Sequence, residues 1–295
     1  MKQRRVTTAL LRKWPLPNTA ETDGKEERGR VLIIGGSDRI PGAAILAATA
    51  SLRAGAGKLQ IATSRAAALA MAIAVPEAKV SGLPADRRGE IKSLDRDVAA
   101  DVVNADAVLV GPGMEATPAT RQVAADVMRH AKSVVLDAGA LDAAVSSPHA
   151  GALVLTPHFG EMAALLDVDE TQVAAQSAAM AQALARQIDA IVVLKSADTV
   201  IAHPDGHVWL HTGGSAGLGT SGSGDVLAGV VCGLIAQGAA PDQAAVWGVA
   251  LHGRAGEWLS RNIGHTGFLA REIAWHLPAI RDALQPAGAG RTRRR

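Results

Sequence analysis

The sequence contains no tyrosine, only two phenylalanines and a single cysteine. With so few rings the core must be aliphatic, and single-stranded nucleic acid would find no aromatic platform on which to stack. A lone cysteine cannot close an internal disulfide, which fits a reducing cytoplasm. That residue, Cys232, stands in the apolar run 226–236 with no neighbouring cation, so it reads as core filler and not as a nucleophile. The same run is the longest apolar stretch, at 11 residues, whereas a membrane-spanning helix needs about 20. The first residues are charged but lead into no hydrophobic segment of the kind a secretion signal requires. The nine histidines show no zinc-ligand spacing with a carboxylate or a second cysteine. The Walker phosphate motif is missing too, because Gly57-Lys58 is followed by Leu59.

What is present has the balance of a globular protein: 48% hydrophobic residues, 20% charged and a net charge of +2. Basic residues gather at the ends, in Lys2, Arg4 and Arg5 and in Arg291, Arg293, Arg294 and Arg295. Such ends read as solvated, and neither nucleic acid nor membrane is an expected partner. Residues 1–29 are polar, carry Pro15 and Pro17, and read as an arm with little regular structure. From Arg30 onward, short apolar runs ending in glycine or polar residues alternate with helical stretches. Strands are predicted in 30–37, 58–63, 105–113, 133–140, 152–158 and 188–196, and a hairpin in 199–210 around Pro204-Asp205-Gly206. Helices are predicted in 41–55, 66–74, 117–131, 160–166, 226–238, 241–263 and 267–280. Strands that are apolar throughout, alternating with helices, imply a parallel sheet covered on both faces. The expectation is one α/β domain over 30–284 and a basic tail over 285–295.

Polar residues cluster just past the strand ends: Gly35 to Ser37, Gly111 to Gly113, Asp137 to Gly139, Thr156 to His158 and Lys195 to Asp198. Open α/β sheets bind ligands beyond the carboxyl ends of their strands, so distant pieces of chain converge on one candidate site.

Residues 213–225 hold six glycines and end in an aspartate that opens an apolar run. By letter, Gly217, Gly219 and Gly222 match a dinucleotide fingerprint, with Asp242 twenty residues on. They do not follow a core strand, and Asp242 sits beside Pro241 at a helix start, so that reading fails. The alternative is an anion hole. Glycines let backbone N–H groups turn inward, and a helix starting near Asp225 adds its own free N–H groups and the positive end of its dipole. A carboxylate at the edge of such a hole can take a proton from a substrate hydroxyl, which is what phosphoryl transfer to an alcohol requires. A flexible loop with Asp225 as a simple cap is the plain alternative.

The stretch T-G-G-S-A-G-L-G-T-S-G-S-G-D-V-L-A-G resembles the Gly-rich loop of the ribokinase-like superfamily, and more narrowly that of the NAD(P)H-hydrate dehydratases that use ADP or ATP. V-L-I-I-G-G-S, V-G-P-G, L-D-A-G-A-L, L-T-P-H-F-G-E-M, V-V-L-K-S-A-D-T-V-I-A-H-P-D-G and W-G-V-A-L-H-G-R-A-G-E occur in the order of that family. The resemblance covers nearly all of 30–280. It implies a ribokinase-like three-layer α/β sandwich whose mostly parallel sheet has helices on both faces. It implies repair of hydrated NADH or NADPH: phosphorylation of the C6 hydroxyl by ADP or ATP with Mg²⁺, then elimination of phosphate. It implies Asp225 as the base, and Ala43, Gly113, His158 and Asp225 around the hydrated dinucleotide. Lys195, Ser196, Ala197, Asp198, Thr199 and Gly224 would hold ADP or ATP. The N–H groups of Ser221, Gly222, Ser223 and Gly224 would surround the phosphoryl group, and Mg²⁺ would be held through phosphates and water with no direct ligand. Glu161 reads as first-turn charge, and Asp137 as open between a ligand contact and a role on metal-bound water.

The family comparison further implies a cytoplasmic homo-oligomer, often a tetramer, with ADP as donor and with epimerisation supplied by a separate protein. Departures from its pattern are Arg39-Ile40-Pro41 in place of an aromatic, Ser196 in place of glycine, and Gly214-Ser215-Ala216 in place of an Asn-Pro turn. Two alternatives share the same loop chemistry: a small-molecule kinase of hydroxyethylthiazole or hydroxymethylpyrimidine type, and a non-catalytic nucleotide sensor.

Overall fold

The computed structural model describes residues 2–18 and 24–285. The basic tail expected over 285–295 lies, beyond Gln285, outside the described residues. In chain order the first elements are β1 (Lys2–Arg5), α1 (Thr8–Lys13), β2 (Arg30–Ile34), α2 (Pro41–Arg53), β3 (Lys58–Ser64), α3 (Ala68–Ala74) and β4 (Ala78–Leu83). Next come α4 (Arg96–Asn104), β5 (Ala107–Val110), α5 (Pro118–His130), β6 (Ser133–Leu136), α6 (Ala143–Ser146), β7 (Ala152–Leu155) and α7 (Phe159–Leu166). The chain ends with α8 (Glu170–Ala175), α9 (Ser177–Gln187), β8 (Ile191–Leu194), β9 (Asp198–Ala202), β10 (His207–Thr212), α10 (Ser223–Ala236), α11 (Pro241–Asn262) and α12 (Ala270–Leu284).

All ten strands form one sheet, ordered β1-β10-β9-β8-β7-β6-β5-β2-β3-β4. It is parallel except where β9 runs against β8 and β10, the hairpin expected from Pro204-Asp205-Gly206. Side chains alternate across the strands. Val31 and Ile33 point into one core with α2, α10, α11 and α12, while Leu32 and Ile34 point into the opposite core with α4 and α5. A third cluster packs α7, α8 and α9 on Val192, Leu194, Val200 and Val208. The result is the three-layer α/β sandwich, with a mostly parallel sheet, expected from the alternating pattern. Among the described residues no helix is long and apolar enough to cross a membrane.

Residues 2–13 correct the expectation of an arm with little regular structure. β1 pairs in parallel with β10 at the sheet edge, from Lys2 opposite His207 to Arg5 opposite Leu210. Its charges suit an edge that must not recruit further strands. α1 buries Leu11, and Trp14 gives its carbonyl to Trp247 Nε1 at 2.7 Å. Local polarity concealed this docking, because an edge strand needs no apolar run. The same reason hid β4, whose K-V-S-G stretch pairs only with β3. Helices α4, α6, α8 and α9 also lie where the sequence reading places no helix.

Strands β2 and β5 to β8 share one direction, so their carboxyl ends open at one end of the sheet. Thr212, the end of β10, delivers the Gly-rich segment to that end, and α2 and α10 both begin there.

Candidate active site

Gly222 opens α10 with φ of 88°, a left-handed conformation that a side chain would strain. A Cβ there would also strike Leu46 Cδ1 at 2.4 Å. The turn leaves the N–H groups of Ser221, Gly222 and Gly224 without a partner among the described residues. Ser223 differs: its N–H donates to Thr220 O at 3.2 Å. The expected ring of four N–H groups is therefore three, and Ser223 has only its hydroxyl left to offer.

Beside this turn lies a cavity of about 830 Å³. Lys195, Ser196, Ala197, Thr199, Ser223 and Gly224 lie on its wall, with His158 at the rim. Of the expected nucleotide residues Asp198 alone is off the wall: it is exposed, and its carbonyl accepts from Ser196 Oγ at 2.7 Å. Ser221 and Gly222 stand outside the wall as well. Leu218, Leu227 and Val249 make an apolar floor suited to a flat base, and His211 and His252 complete the wall.

At the mouth, one ammonium faces three carboxylates. Lys195 Nζ lies 2.9 Å from Asp137 Oδ1 and 3.6 Å from Glu161 Oε2. Asp137 is buried and also accepts from Thr156 Oγ1 at 2.7 Å. Burial works to lower the Lys195 pKa, but the charges of Asp137, Glu161 and Asp225 outweigh it and hold it above the ordinary value. Asp225, in the first turn of α10, is pushed up to about 7, first by burial and then by Asp137, with Lys195 opposing. Glu161 and His158 cap α7 reciprocally: Glu161 N donates to His158 Nδ1 at 3.2 Å, and His158 N donates to Glu161 Oε2 at 2.7 Å. Glu161 is thus more than first-turn charge, since it joins the cap to Lys195.

Ala43 and Gly113 lie together. A Cβ on Gly113 would sit 3.0 Å from Ala43 Cβ and 2.3 Å from Ile40 O. The two reach Asp225 through the pairing of α2 with α10. A Cβ on Gly229 would lie 2.2 Å from Ala47 O, and one on Gly233 would lie 2.6 Å from Ser51 O. The helices therefore run parallel in backbone contact, and one turn earlier Asp225 stands level with Ala43. The first turn of α10 therefore has the Ala43–Gly113 contact beside it and, at Gly224, the cavity wall. A Cβ on Gly224 would lie only 3.2 Å from Lys195 Nζ, so this position is tight on the cavity side.

Sequence reasoning missed His211 and His252. Both are buried, at 8% and 9% exposure. The local signal for His252 was a histidine beside glycine in the helical stretch L-H-G-R-A-G-E, and nothing local marked His211.

For a divalent ion the donor set is sparse. No group of three or more His, Cys, Asp or Glu side chains converges as a direct ligand cage among the described residues. Asp137 and Glu161 fit contacts made through water to an ion that arrives with phosphates.

The family model for NAD(P)H-hydrate dehydratase matches residues 31–279. An ADP-dependent (S)-NAD(P)H-hydrate dehydratase of Xanthomonas campestris is 49% identical over 282 residues, covering 95% of this chain and 97% of that protein. A bifunctional NAD(P)H-hydrate repair enzyme of Moorella thermoacetica is 36% identical over 292 residues, covering 96% of this chain and 54% of that protein. The ADP/ATP-dependent NAD(P)H-hydrate dehydratase of Bacillus subtilis, co-crystallised with ATP and Mg²⁺, superposes with a TM-score of 0.82 at 30% identity, covering 95% of this chain and 98% of that one. With the family model spanning every strand of the sheet but β1, and the Gly-rich turn, the chain belongs to the NAD(P)H-hydrate dehydratase family.

Proposed function

We propose that the chain restores NAD(P)H from (S)-NAD(P)H-hydrate with ADP as phosphoryl donor. The observation that carries this reading is the place of Asp225, in the first turn of α10 next to Gly224 on the cavity wall and level with Ala43 on α2. The hydrated dinucleotide binds with its C6 hydroxyl at Asp225, its approach lined by Ala43, Gly113 and His158. The nucleotide occupies the cavity along Lys195 to Thr199, its terminal phosphoryl group facing the N–H groups of Ser221, Gly222 and Gly224 and the hydroxyl of Ser223. Asp225 takes the hydroxyl proton as the oxygen attacks phosphorus, and the bond to the departing AMP breaks. A carboxylate whose pKa lies about 7 is matched to this transfer at neutral pH. The C6–O bond then breaks with the ring nitrogen's lone pair behind it, phosphate leaves, and loss of the C5 proton restores the dihydronicotinamide. Hydroxide leaves poorly and phosphate well, which is why a phosphoryl donor is spent.

Mg²⁺, when bound, would neutralise phosphate charge, and Asp137 and Glu161 are the residues that would hold it through water. Lys195 compensates the carboxylates and keeps Asp225 from rising further. The kinase and sensor alternatives lose to the family assignment, and a sensor needs no base beside its nucleotide cavity. The expected setting is a cytoplasmic homo-oligomer, with a separate epimerase supplying the S form.

The test is turnover of hydrated NADH with Mg²⁺ and either ADP or ATP, read as returning dihydronicotinamide absorbance. Recovery that is faster with ADP supports the proposal. No recovery despite nucleotide binding, or a phosphorylated product that persists, removes it.

A further inference from the structure

Ser223 is the first residue of α10 and 5% exposed, yet it lies on the cavity wall. His252, on α11, lies on the same wall. Its Nε2 is 3.0 Å from Ser223 Oγ and 3.0 Å from the Ser223 carbonyl oxygen. A carbonyl oxygen only accepts, so Nε2 must carry the proton. Burial depresses the imidazole pKa to about 4, so the ring is neutral and Nδ1 holds a lone pair. That lone pair makes no hydrogen bond among the described residues, which costs less than an orphaned donor. The opposite tautomer would set a lone pair against the Ser223 carbonyl at 3.0 Å, and would spend the serine proton on the imidazole.

With Nε2–H supplying Ser223 Oγ, the serine hydroxyl has no acceptor among the described residues. Its backbone N–H is already committed to Thr220. The hydroxyl hydrogen is therefore the one donor Ser223 retains, and Ser223 stands on the cavity wall.

We propose that His252 is a positioning residue for phosphoryl transfer: as the Nε2–H tautomer it holds Ser223 so that the serine hydroxyl donates into the cavity, toward the transferring phosphoryl group. This deepens the dehydratase reading and rests on it. Ser223 touches the reacting group, and His252 acts through Ser223.

Two measurements test the idea. The first needs no turnover: wild-type protein carrying ¹⁵N-histidine is expected to show His252 protonated at Nε2 and bare at Nδ1. A proton on Nδ1 overturns the proposal. The second compares His252→Leu, His252→Gln, Ser223→Ala and the Leu/Ala double variant, with folding checked by thermal melting. Ser223→Ala and His252→Leu should each lower kcat about 100-fold with the KM for ADP within about threefold. The double variant should match the worse single one, because both remove the same donor. His252→Gln, whose amide N–H reaches where Nε2 stood, should recover most of the loss. Multiplying losses, or wild-type kcat in folded His252→Leu, overturns the proposal. If the leucine variant does not fold, Ser223→Ala, His252→Gln and the tautomer decide alone. Absence of any wild-type turnover would remove the dehydratase reading, while the tautomer still reports on the His252–Ser223 geometry.

Discussion

Ala47 occupies the place that a side chain on Gly229 would need: a Cβ there would lie 2.2 Å from the Ala47 carbonyl oxygen. This contact sets how closely α2 and α10 approach. It therefore sets the distance between Ala43 and Asp225, one turn toward the site. Gly229→Ala should destabilise the fold by about 1–3 kcal/mol through overpacking against backbone. In the folded fraction it should also lower kcat, because the base is pushed from its acceptor. Denaturant melts and single-turnover rates check both; a variant with wild-type stability and rate would show that the contact does not position Asp225.

Asp225→Asn should keep nucleotide binding and lose turnover by about 10³-fold, since the amide cannot take the proton. Calorimetric titration with ADP beside the turnover assay separates the two effects. Turnover near the wild-type rate would remove Asp225 as the base.

The elevated pKa of Asp225 carries a pH signature in stability. Its ordinary value is 3.8 and its folded value about 7, so between these the folded chain holds more protons than the unfolded one. Stability tied to that proton is present at low pH and is lost as pH rises through 7. Asparagine has no such dependence. Asp225→Asn should therefore melt a few degrees above wild type at pH 8, with the advantage vanishing below pH 4. Parallel melting curves from pH 4 to 8 would expose a pH-independent gap, which contradicts the assignment.

For catalysis the sign is opposite, because the base must be ionised. kcat/KM should rise with pH to a plateau above about 7. Lys195 opposes the upward shift of Asp225, so Lys195→Met should move this limb to higher pH and lower the plateau. A limb that stays in place would show that Lys195 serves the nucleotide alone.

Gly113→Ala should act on one substrate only. Its φ is +70°, and the added Cβ would meet Ile40 O at 2.3 Å and Ala43 Cβ at 3.0 Å. The KM for hydrated dinucleotide should rise about tenfold or more while ADP affinity is unchanged. Equal effects on both ligands would mean that the pocket beside Ala43 is not the dinucleotide's.

Much of this protein could be read from local sequence. Thr117 and Pro118 mark the start of α5, and its end falls at His130, one residue from the expected boundary. Apolar runs such as A-V-L-V, too short for a helix and closed by Gly-Pro-Gly, read as buried parallel strands. The glycines before Asp225 announce a turn that side chains would block. These are short-range demands of backbone geometry and burial, and neighbouring residues suffice to state them.

Other features depend on partners far along the chain. The edge strand Lys2–Arg5 is polar and is made a strand only by β10. The N–H of Ser223 is lost to Thr220 by the way the turn closes, and no residue type foretells that. Asp137 and Lys195 are 58 residues apart and become an ion pair only because β6, β7 and β8 lie side by side. His252 and Ser223 meet across the α10–α11 packing, and the imidazole's role follows from a carbonyl 3.0 Å away. The sequence by itself determined the alternation, the glycine-rich turn and the carboxylate that follows it. The tertiary structure decided which donors remain free around it, because a hydrogen-bonding group's availability depends on every neighbour the fold places within reach.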